Sequence, residues 1–118
     1  MASQTQKGKA FEYACLLAIY EILKSSQEIV IKESDALYTA RNFYHSSEES
    51  DRDKMEQAAF AAVRVLRKYE PQLEYETKSI PLYLDIQEDF KGIFGDVRDV
   101  LCIRSQNGWE IGISCKHN

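Results

Sequence analysis

Apolar residues in the first part of the chain recur three and four positions apart, which is the spacing of an amphipathic helix. Leu16, Ile19 and Leu23 predict a helix over residues 7–24. Glu12 lies four positions before Leu16 and seven before Ile19, so we expect its carboxylate at the edge of the buried face. Taken alone, an acid in the first turn also favours the helix dipole.

Two further helices are predicted from the same spacing. One covers residues 35–44, and the other runs from a cap at Ser50 or Asp51 to about Tyr69, before Pro71. The third helix shows the clearest periodicity, and its expected buried positions are Met55, Ala59, Ala62, Leu66 and Tyr69.

The period of the pattern changes to two in the second part of the chain. Apolar and polar residues alternate over 73–78 and again over 82–86, and both stretches are predicted strands. Residues 28–32 fit either a short strand or a linker. Helices followed by strands indicate one α+β domain, or a three-layer α/β/α core.

A hairpin is predicted at the end of the chain, because residues 105–108 contain Asn-Gly between two apolar runs. Its register depends on the length of the loop. A two-residue loop places Asp99 across from Lys116, and a four-residue loop places it across from Ser114. A three-residue loop pairs Asp99 with Cys115 instead and separates the polar side chains.

In the first two registers, Asp99, Ser114 and Lys116 share one face of the hairpin. Such a group suits chemistry on a phosphodiester, because a carboxylate holds a cation and an ammonium stabilises phosphate charge. For any one of these residues, a solvated position on a charged surface is the simpler interpretation. The combination of these three residues at one end of a hairpin favours a functional site over a solvated surface.

Composition limits the class of protein. The chain has 118 residues, 44% of them apolar, which suits a single domain with a real core. Its three cysteines have no metal-binding spacing and indicate reduced thiols. No signal segment or membrane span is evident, so we expect a soluble, cytoplasmic protein. A net charge of −4 argues mildly against nucleic acid.

Three short blocks resemble a known group of enzymes. They are GKAFEYAC at 8–15, GDVRDV at 95–100 and ISCKHN at 113–118. Together they resemble the PD-(D/E)XK nuclease superfamily and, more closely, the HaeIII-type restriction endonucleases. The resemblance implies an α/β (α+β) restriction-endonuclease-like core, with a mixed sheet flanked by helices. One nuclease domain would span 1–118, with helices over about 7–70 and the sheet and hairpin over about 72–118.

The resemblance also assigns roles to residues of the hairpin. Asp99 would be the metal-binding aspartate, with Asp96 as the second choice. Lys116 would position the attacking water and stabilise charge that develops on the phosphate. Ser114 stands where the superfamily usually has Glu or Asp, so the site is one carboxylate short.

Glu12 is the first choice to replace that carboxylate, because related nucleases often supply an acid from the first core helix. Glu110 is a weaker substitute on the same face as Ser114. Asp99 and Glu12 would then hold Mg²⁺ through hard oxygen ligands. The ion would lower the pKa of a bound water and neutralise the phosphate under attack.

The expected activity is that of a type II restriction endonuclease, or its N-terminal catalytic part, cutting double-stranded DNA. The family implies a GGCC-like target, a companion DNA methyltransferase and a homodimer in the full-length enzyme. Only His117 and Asn118 follow Lys116, so we expect a chain truncated after the catalytic hairpin. Two alternatives are a repair or junction-resolving nuclease of the same superfamily and a non-catalytic protein-interaction domain.

Overall fold

The fold combines a layer of helices with one mixed sheet. A computed structural model describes residues 4–70, 73, 81–87, 100–104 and 109–113, with side chains over 6–70, 73 and 81–87. Within these residues the elements, in chain order, are α1 (Gln4–Leu23), β1 (Ile29–Ile31), α2 (Asp35–Ser46), α3 (Glu49–Tyr69), β2 (Leu82–Ile86), β3 (Val100–Arg104) and β4 (Trp109–Ile113). This order confirms the predicted α+β arrangement.

The first helix carries the centre of the core. Leu16, Ile19 and Leu23 are fully buried, as their spacing predicts. Cys15 is also buried and has a free thiol, in agreement with the predicted reduced state, and it packs as a small apolar residue. The helix ends where Ser26 Oγ donates a hydrogen bond of 3.1 Å to the carbonyl oxygen of Leu23.

The second helix is capped and packs against the first. Ser34 is its N-cap, and Ser34 Oγ accepts a hydrogen bond of 3.1 Å from the backbone N–H of Leu37. Leu37, Ala40 and Tyr44 are buried, and α2 contacts α1. The helix therefore contributes its apolar stripe to the same core as α1.

The third helix begins earlier than predicted. The cap expected at Ser50 or Asp51 is wrong, because Glu48 is the N-cap residue. The Ser47 hydroxyl donates a hydrogen bond of 2.7 Å to the carbonyl oxygen of Phe43 in α2. The Arg52 guanidinium donates a hydrogen bond to the carbonyl oxygen of Ser47. These contacts join α2 and α3 closely, so the third helix starts directly after a two-residue connection.

The buried face of α3 also differs in part from its prediction. Met55, Ala59 and Val63 are buried, whereas Ala62 is exposed and the side chain of Tyr69 is 77% exposed. The buried residues follow one another at steps of four, along an i±4 ridge of the helix. This ridge turns gradually round the helix and leaves Ala62 and Tyr69 outside the contact with α1.

The sheet has the order β1-β2-β3-β4, in which β1 and β2 are parallel and the other neighbours are antiparallel. Residues 28–32 therefore contain a strand rather than a linker alone. Leu82, Leu84 and Ile86 are buried on the face of β2 that belongs to the helical core. The strand predicted over 73–78 lies outside the described residues except Leu73, which is buried in a helical turn.

The hairpin adopts one of the predicted registers. Val100 pairs with Ile113 and Arg104 pairs with Trp109, with four residues of sequence between the strands. This is the register expected for a four-residue loop, and the two-residue and three-residue alternatives are wrong. Asp99 and Ser114, which that register would pair, lie just outside the described residues.

An aromatic cluster joins the three helices. The Tyr44 hydroxyl donates a hydrogen bond to the carboxylate of Glu56, and the ring of Tyr13 lies 5.3 Å from the ring of Tyr44. His45 contacts Tyr44 edge-on, with 5.4 Å between ring centroids. Burial and the hydrogen bond to Glu56 together raise the pKa of Tyr44 well above its ordinary value of 10.

Replacing Tyr44 with Phe is expected to lower the free energy of unfolding by about 1–2 kcal/mol at neutral pH, because one hydrogen bond to a charged group is lost. The folded-state pKa of Tyr44 is raised, so its contribution is present below about pH 10 and is lost as pH rises further. Urea denaturation from pH 7 to 11 measures both effects.

The exposed Tyr69 provides the control for this prediction. Tyr69→Phe removes a hydroxyl at a position that is 77% exposed and should leave the stability at neutral pH unchanged. If Tyr44→Phe has the same alkaline slope as the parent protein, the raised pKa of Tyr44 does not contribute to stability and the prediction is wrong.

Candidate functional site

Glu12 occupies a buried position on α1. The residue is 4% exposed, and its Oε2 lies 3.3 Å from Nζ of Lys9, one turn earlier in the helix. The Lys9 side chain is itself 13% exposed. The prediction that Glu12 lies at the buried face of the helix rather than at its solvent-exposed face is therefore confirmed. The Lys9 ammonium is therefore placed to compensate a buried carboxylate, and burial of an uncompensated charge is costly.

The other predicted site residues lie outside the described residues. Asp96, Asp99, Ser114 and Lys116 all fall there, so the geometry that joins them stays a prediction. The strands next to them are described. Asp99 directly precedes β3, and Ser114 directly follows β4.

The sheet brings these two strand ends to one place. Ile86, Val100 and Ile113 form a row across β2, β3 and β4. Asp99 is covalently bonded to Val100 and Ser114 to Ile113, and consecutive Cα atoms are about 3.8 Å apart. Val100 and Ile113, the sequence neighbours of Asp99 and Ser114, thus lie in a single row at one end of the sheet.

Asp85 is an acidic residue near this row that the sequence analysis left out. Its Oδ2 lies 3.7 Å from Nζ of Lys32 and accepts a hydrogen bond of 3.0 Å from Nε2 of Gln87. The Asp85 side chain is 14% exposed. The alternation over 82–86 already predicts that Asp85 faces away from Leu84, and that signal could have identified it.

The described carboxylates suit a hard divalent cation by their chemistry. Glu12 and Asp85 each present oxygen donors beside a lysine ammonium, which shows that both positions accommodate a positive charge. Among the residues that the structure describes, no three His, Cys, Asp or Glu side chains cluster closely enough to form a ligand set. Any ligand set of three such side chains would therefore have to include a residue outside them, such as Asp99.

No helix in the described part of the chain is both long and apolar enough to cross a membrane. Most side chains of α1 are buried or half-buried, whereas α3 buries Met55, Ala59 and Val63 along one side.

Comparison with known proteins identifies the family. The family model described as HaeIII restriction endonuclease matches residues 8–118. The chain belongs to the HaeIII restriction endonuclease family. The match includes Glu12, Asp96, Asp99, Ser114 and Lys116, so every predicted site residue lies within it.

One curated member of the HaeIII restriction endonuclease family gives a direct comparison. The chain is 32% identical over 111 residues to the type II restriction enzyme HaeIII of Haemophilus aegyptius. The alignment covers 94% of this chain and 34% of that enzyme, so the chain spans about a third of the relative's length. No solved structure matches the chain.

Proposed function

We propose that this chain forms the catalytic part of a type II restriction endonuclease with a PD-(D/E)XK core. Its reaction would be the hydrolysis of phosphodiester bonds at a short specific site in double-stranded DNA, with Mg²⁺ as cofactor. Membership of the HaeIII restriction endonuclease family supports this class of activity. The β3–β4 register is the observation that links this activity to particular residues.

That register is one of the two in which the predicted catalytic residues share a face. If the pairing continues by one residue, Asp99 and Ser114 lie opposite each other. Lys116, two residues beyond Ser114, then lies on the same face by the period of a strand. A carboxylate and an ammonium would therefore meet at the end of the hairpin, where DNA can reach them.

Each side chain has a role in the proposed reaction. Asp99 and Glu12 would hold the cation through carboxylate oxygens, with Asp96 as the alternative to Asp99. Lys116 orients the attacking water and donates hydrogen bonds to the phosphate oxygens as negative charge develops on them. Ser114 has no carboxylate but its hydroxyl can orient water. Bound Mg²⁺ would supply Lewis-acid activation of water and charge neutralisation at the phosphate.

Electrostatics support a cation at the proposed site. The chain has a formal net charge of −4, which repels a DNA backbone that is itself densely negative. Buried Glu12 adds a negative charge that Lys9 offsets. A divalent cation at the carboxylates would remove local repulsion where the phosphate must approach.

The biological setting follows from the same proposal. A restriction endonuclease works beside a DNA methyltransferase that protects the host's own sites, and it acts on DNA in the cytoplasm. A two-fold symmetric target would be cut by a homodimer, since an isologous dimer matches its symmetry. We propose these partners for the full-length enzyme.

Cleavage of plasmid DNA distinguishes a restriction enzyme from the alternatives. The protein, with any coding sequence that follows residue 118 in its gene, is incubated with Mg²⁺ and with unmethylated or cytosine-methylated plasmid. We expect discrete fragments with shared end sequences from unmethylated plasmid. Methylation within the target should block the reaction, and a chelator should abolish it.

Other outcomes assign other functions. Cleavage of branched DNA in preference to plasmid, without sequence-specific ends, would indicate a repair or junction-resolving nuclease. No cleavage of any DNA under these conditions would contradict a nuclease and favour a protein-interaction domain. In such a domain Asp99 and Lys116 would do no more than form a weak surface pair.

A further inference from the structure

Glu12 lies in the most deeply buried row of α1. Leu16, Ile19 and Leu23 follow it at steps of four, three and four residues, so all four side chains share one face of the helix. Leu16, Ile19 and Leu23 are at most 1% exposed, and Glu12 is 4% exposed. An acidic residue thus occupies a position at which the pattern of the helix predicts an apolar one.

A charge in this row does not serve the stability of the fold. Within the described ranges, Glu12 is the one Asp, Glu, Lys, Arg or His residue that is buried. Removing an ion from water is costly, and apolar residues in place of a buried ion pair often leave a protein equally stable or more stable. Residues that conflict with the pattern of their element in this way are expected at functional sites.

Lys9 lies one turn before Glu12 and contacts its carboxylate. Lys9 Nζ is 3.3 Å from Glu12 Oε2, and the Lys9 side chain is only 13% exposed. Lysine ordinarily keeps its ammonium in water, so an enclosed lysine beside an enclosed carboxylate is an uncommon pair. The Lys9 ammonium offsets the cost of the buried charge and restricts where the Glu12 carboxylate can lie.

Gly8 leaves open space beside this pair. Gly8 is four residues before Glu12 on the same face, and a long helical side chain lies over the turn that precedes it. Apart from its own turn of helix, a Cβ atom at Gly8 would meet nothing within 4 Å in the described part of the chain. Packing therefore does not require glycine here, although glycine weakens a helix interior relative to alanine. Another group has room to approach the turn that carries Lys9 and Glu12.

We propose that Lys9 is a positioning residue of the nuclease site and holds the Glu12 carboxylate in place beside the space at Gly8. The inference rests on the proposed nuclease function and adds one residue to it. Lys9 acts through Glu12 and not on DNA directly, because its ammonium is engaged by the carboxylate and is little exposed. The phosphodiester backbone would approach from the side that Gly8 leaves open.

The coupling of Lys9 with Glu12 is measured first by stability, in the absence of DNA. Urea denaturation is compared for the parent protein, Lys9→Met, Glu12→Gln and the double variant. We expect Lys9→Met to lower the urea midpoint, because the buried carboxylate loses the Lys9 cation. In the Glu12→Gln background the same substitution should lower the midpoint much less or raise it, since the buried charge is gone.

Lys7 provides the matched control, because it is an exposed lysine on the same helix. Lys7→Met should leave the urea midpoint and the rate of DNA cleavage unchanged. An equal fall in midpoint for Lys9→Met in the parent and in the Glu12→Gln background would overturn the proposal, since Lys9 would then not act through Glu12.

Single-turnover cleavage of DNA separates a positioning role from a purely structural one. We expect folded Lys9→Met to cleave at least about tenfold more slowly than the parent, the smaller of the losses typical of residues that orient a ligand. Its affinity for DNA should be unchanged. Lys9→Arg keeps the charge and should restore much of the rate. The double variant should cleave no more slowly than Glu12→Gln alone, because the two residues act as a unit.

Two cleavage results would overturn the role of Lys9. Cleavage by folded Lys9→Met at the parent rate would leave the nuclease site standing without Lys9. A loss of rate that is just as large in the Glu12→Gln background would show that Lys9 acts independently of Glu12. A parent protein that cleaves no DNA contradicts the proposed function itself and, with it, a positioning role for Lys9.

Discussion

Replacing Lys116 with alanine is expected to reduce the rate of DNA cleavage by at least about 100-fold, the scale of loss when one donor to a developing oxyanion is removed. In the proposed site, the Lys116 ammonium orients the attacking water and binds phosphate oxygens as their charge increases. Both contributions are greater in the transition state than in the bound ground state. The loss should therefore appear in the catalytic rate, while the affinity for DNA changes little.

The measurement is a single-turnover cleavage assay, with DNA affinity taken separately from fluorescence anisotropy in the presence of Ca²⁺. Lys54, which is exposed on α3, provides the matched control, since Lys54→Ala removes the same charge at a distance from the hairpin. A similar fall in rate for Lys54→Ala and Lys116→Ala would show that net charge matters and that Lys116 has no particular role.

The largest loss of stability is expected from Leu84→Ala. Leu84 is fully buried in the middle of β2, where it joins the sheet to the helical core. Truncation removes apolar burial and leaves a cavity between two layers, with a typical cost of about 2–5 kcal/mol. Because β2 pairs with both β1 and β3, neighbouring backbone cannot easily collapse into that cavity.

Urea denaturation followed by circular dichroism tests this prediction. Val65 on α3 is 53% exposed, and Val65→Ala should change the stability by no more than about 0.5 kcal/mol. If Leu84→Ala costs no more than Val65→Ala, the core does not extend between β2 and the helices as the structure shows.

Sequence periodicity predicts the parts of this fold that depend on local burial. Leu16, Ile19 and Leu23 are spaced for one helix face, and all three are buried. The start of α3 could not be predicted in this way, since Ser47 and Arg52 donate hydrogen bonds to carbonyl oxygens of α2, those of Phe43 and His45. A cap depends on which neighbouring carbonyl groups compete for the side chain, and the pattern along the chain contains no information on them.

The hairpin register shows a second limit of sequence reasoning. Asn107-Gly108 alone favours a two-residue loop, yet the strands adopt the register of a four-residue connection. β3 pairs with β4 on one side and with the whole of β2 on the other. Its position is therefore determined by two neighbours as well as by the turn, and only the turn is visible in the sequence.

The candidate site was predictable where its residues are close in sequence. Asp99, Ser114 and Lys116 lie in the sequence of one predicted hairpin, so the length of its loop predicts which of them share a face. Asp85 could not be selected in this way, because its place beside Leu101 depends on the pairing of β2 with β3. Alternation assigns a residue to a face, but it does not show which strand is adjacent.

The most direct test of a nuclease site at the end of the hairpin is a side-by-side cleavage assay of the parent and Lys116→Ala. Both proteins, with any coding sequence that follows residue 118, are incubated with unmethylated plasmid and Mg²⁺, and the DNA ends are sequenced. We predict that the parent produces discrete fragments with a common end sequence and that Lys116→Ala produces none. Equal cleavage by the two proteins, or no cleavage by the parent, would contradict the proposed site.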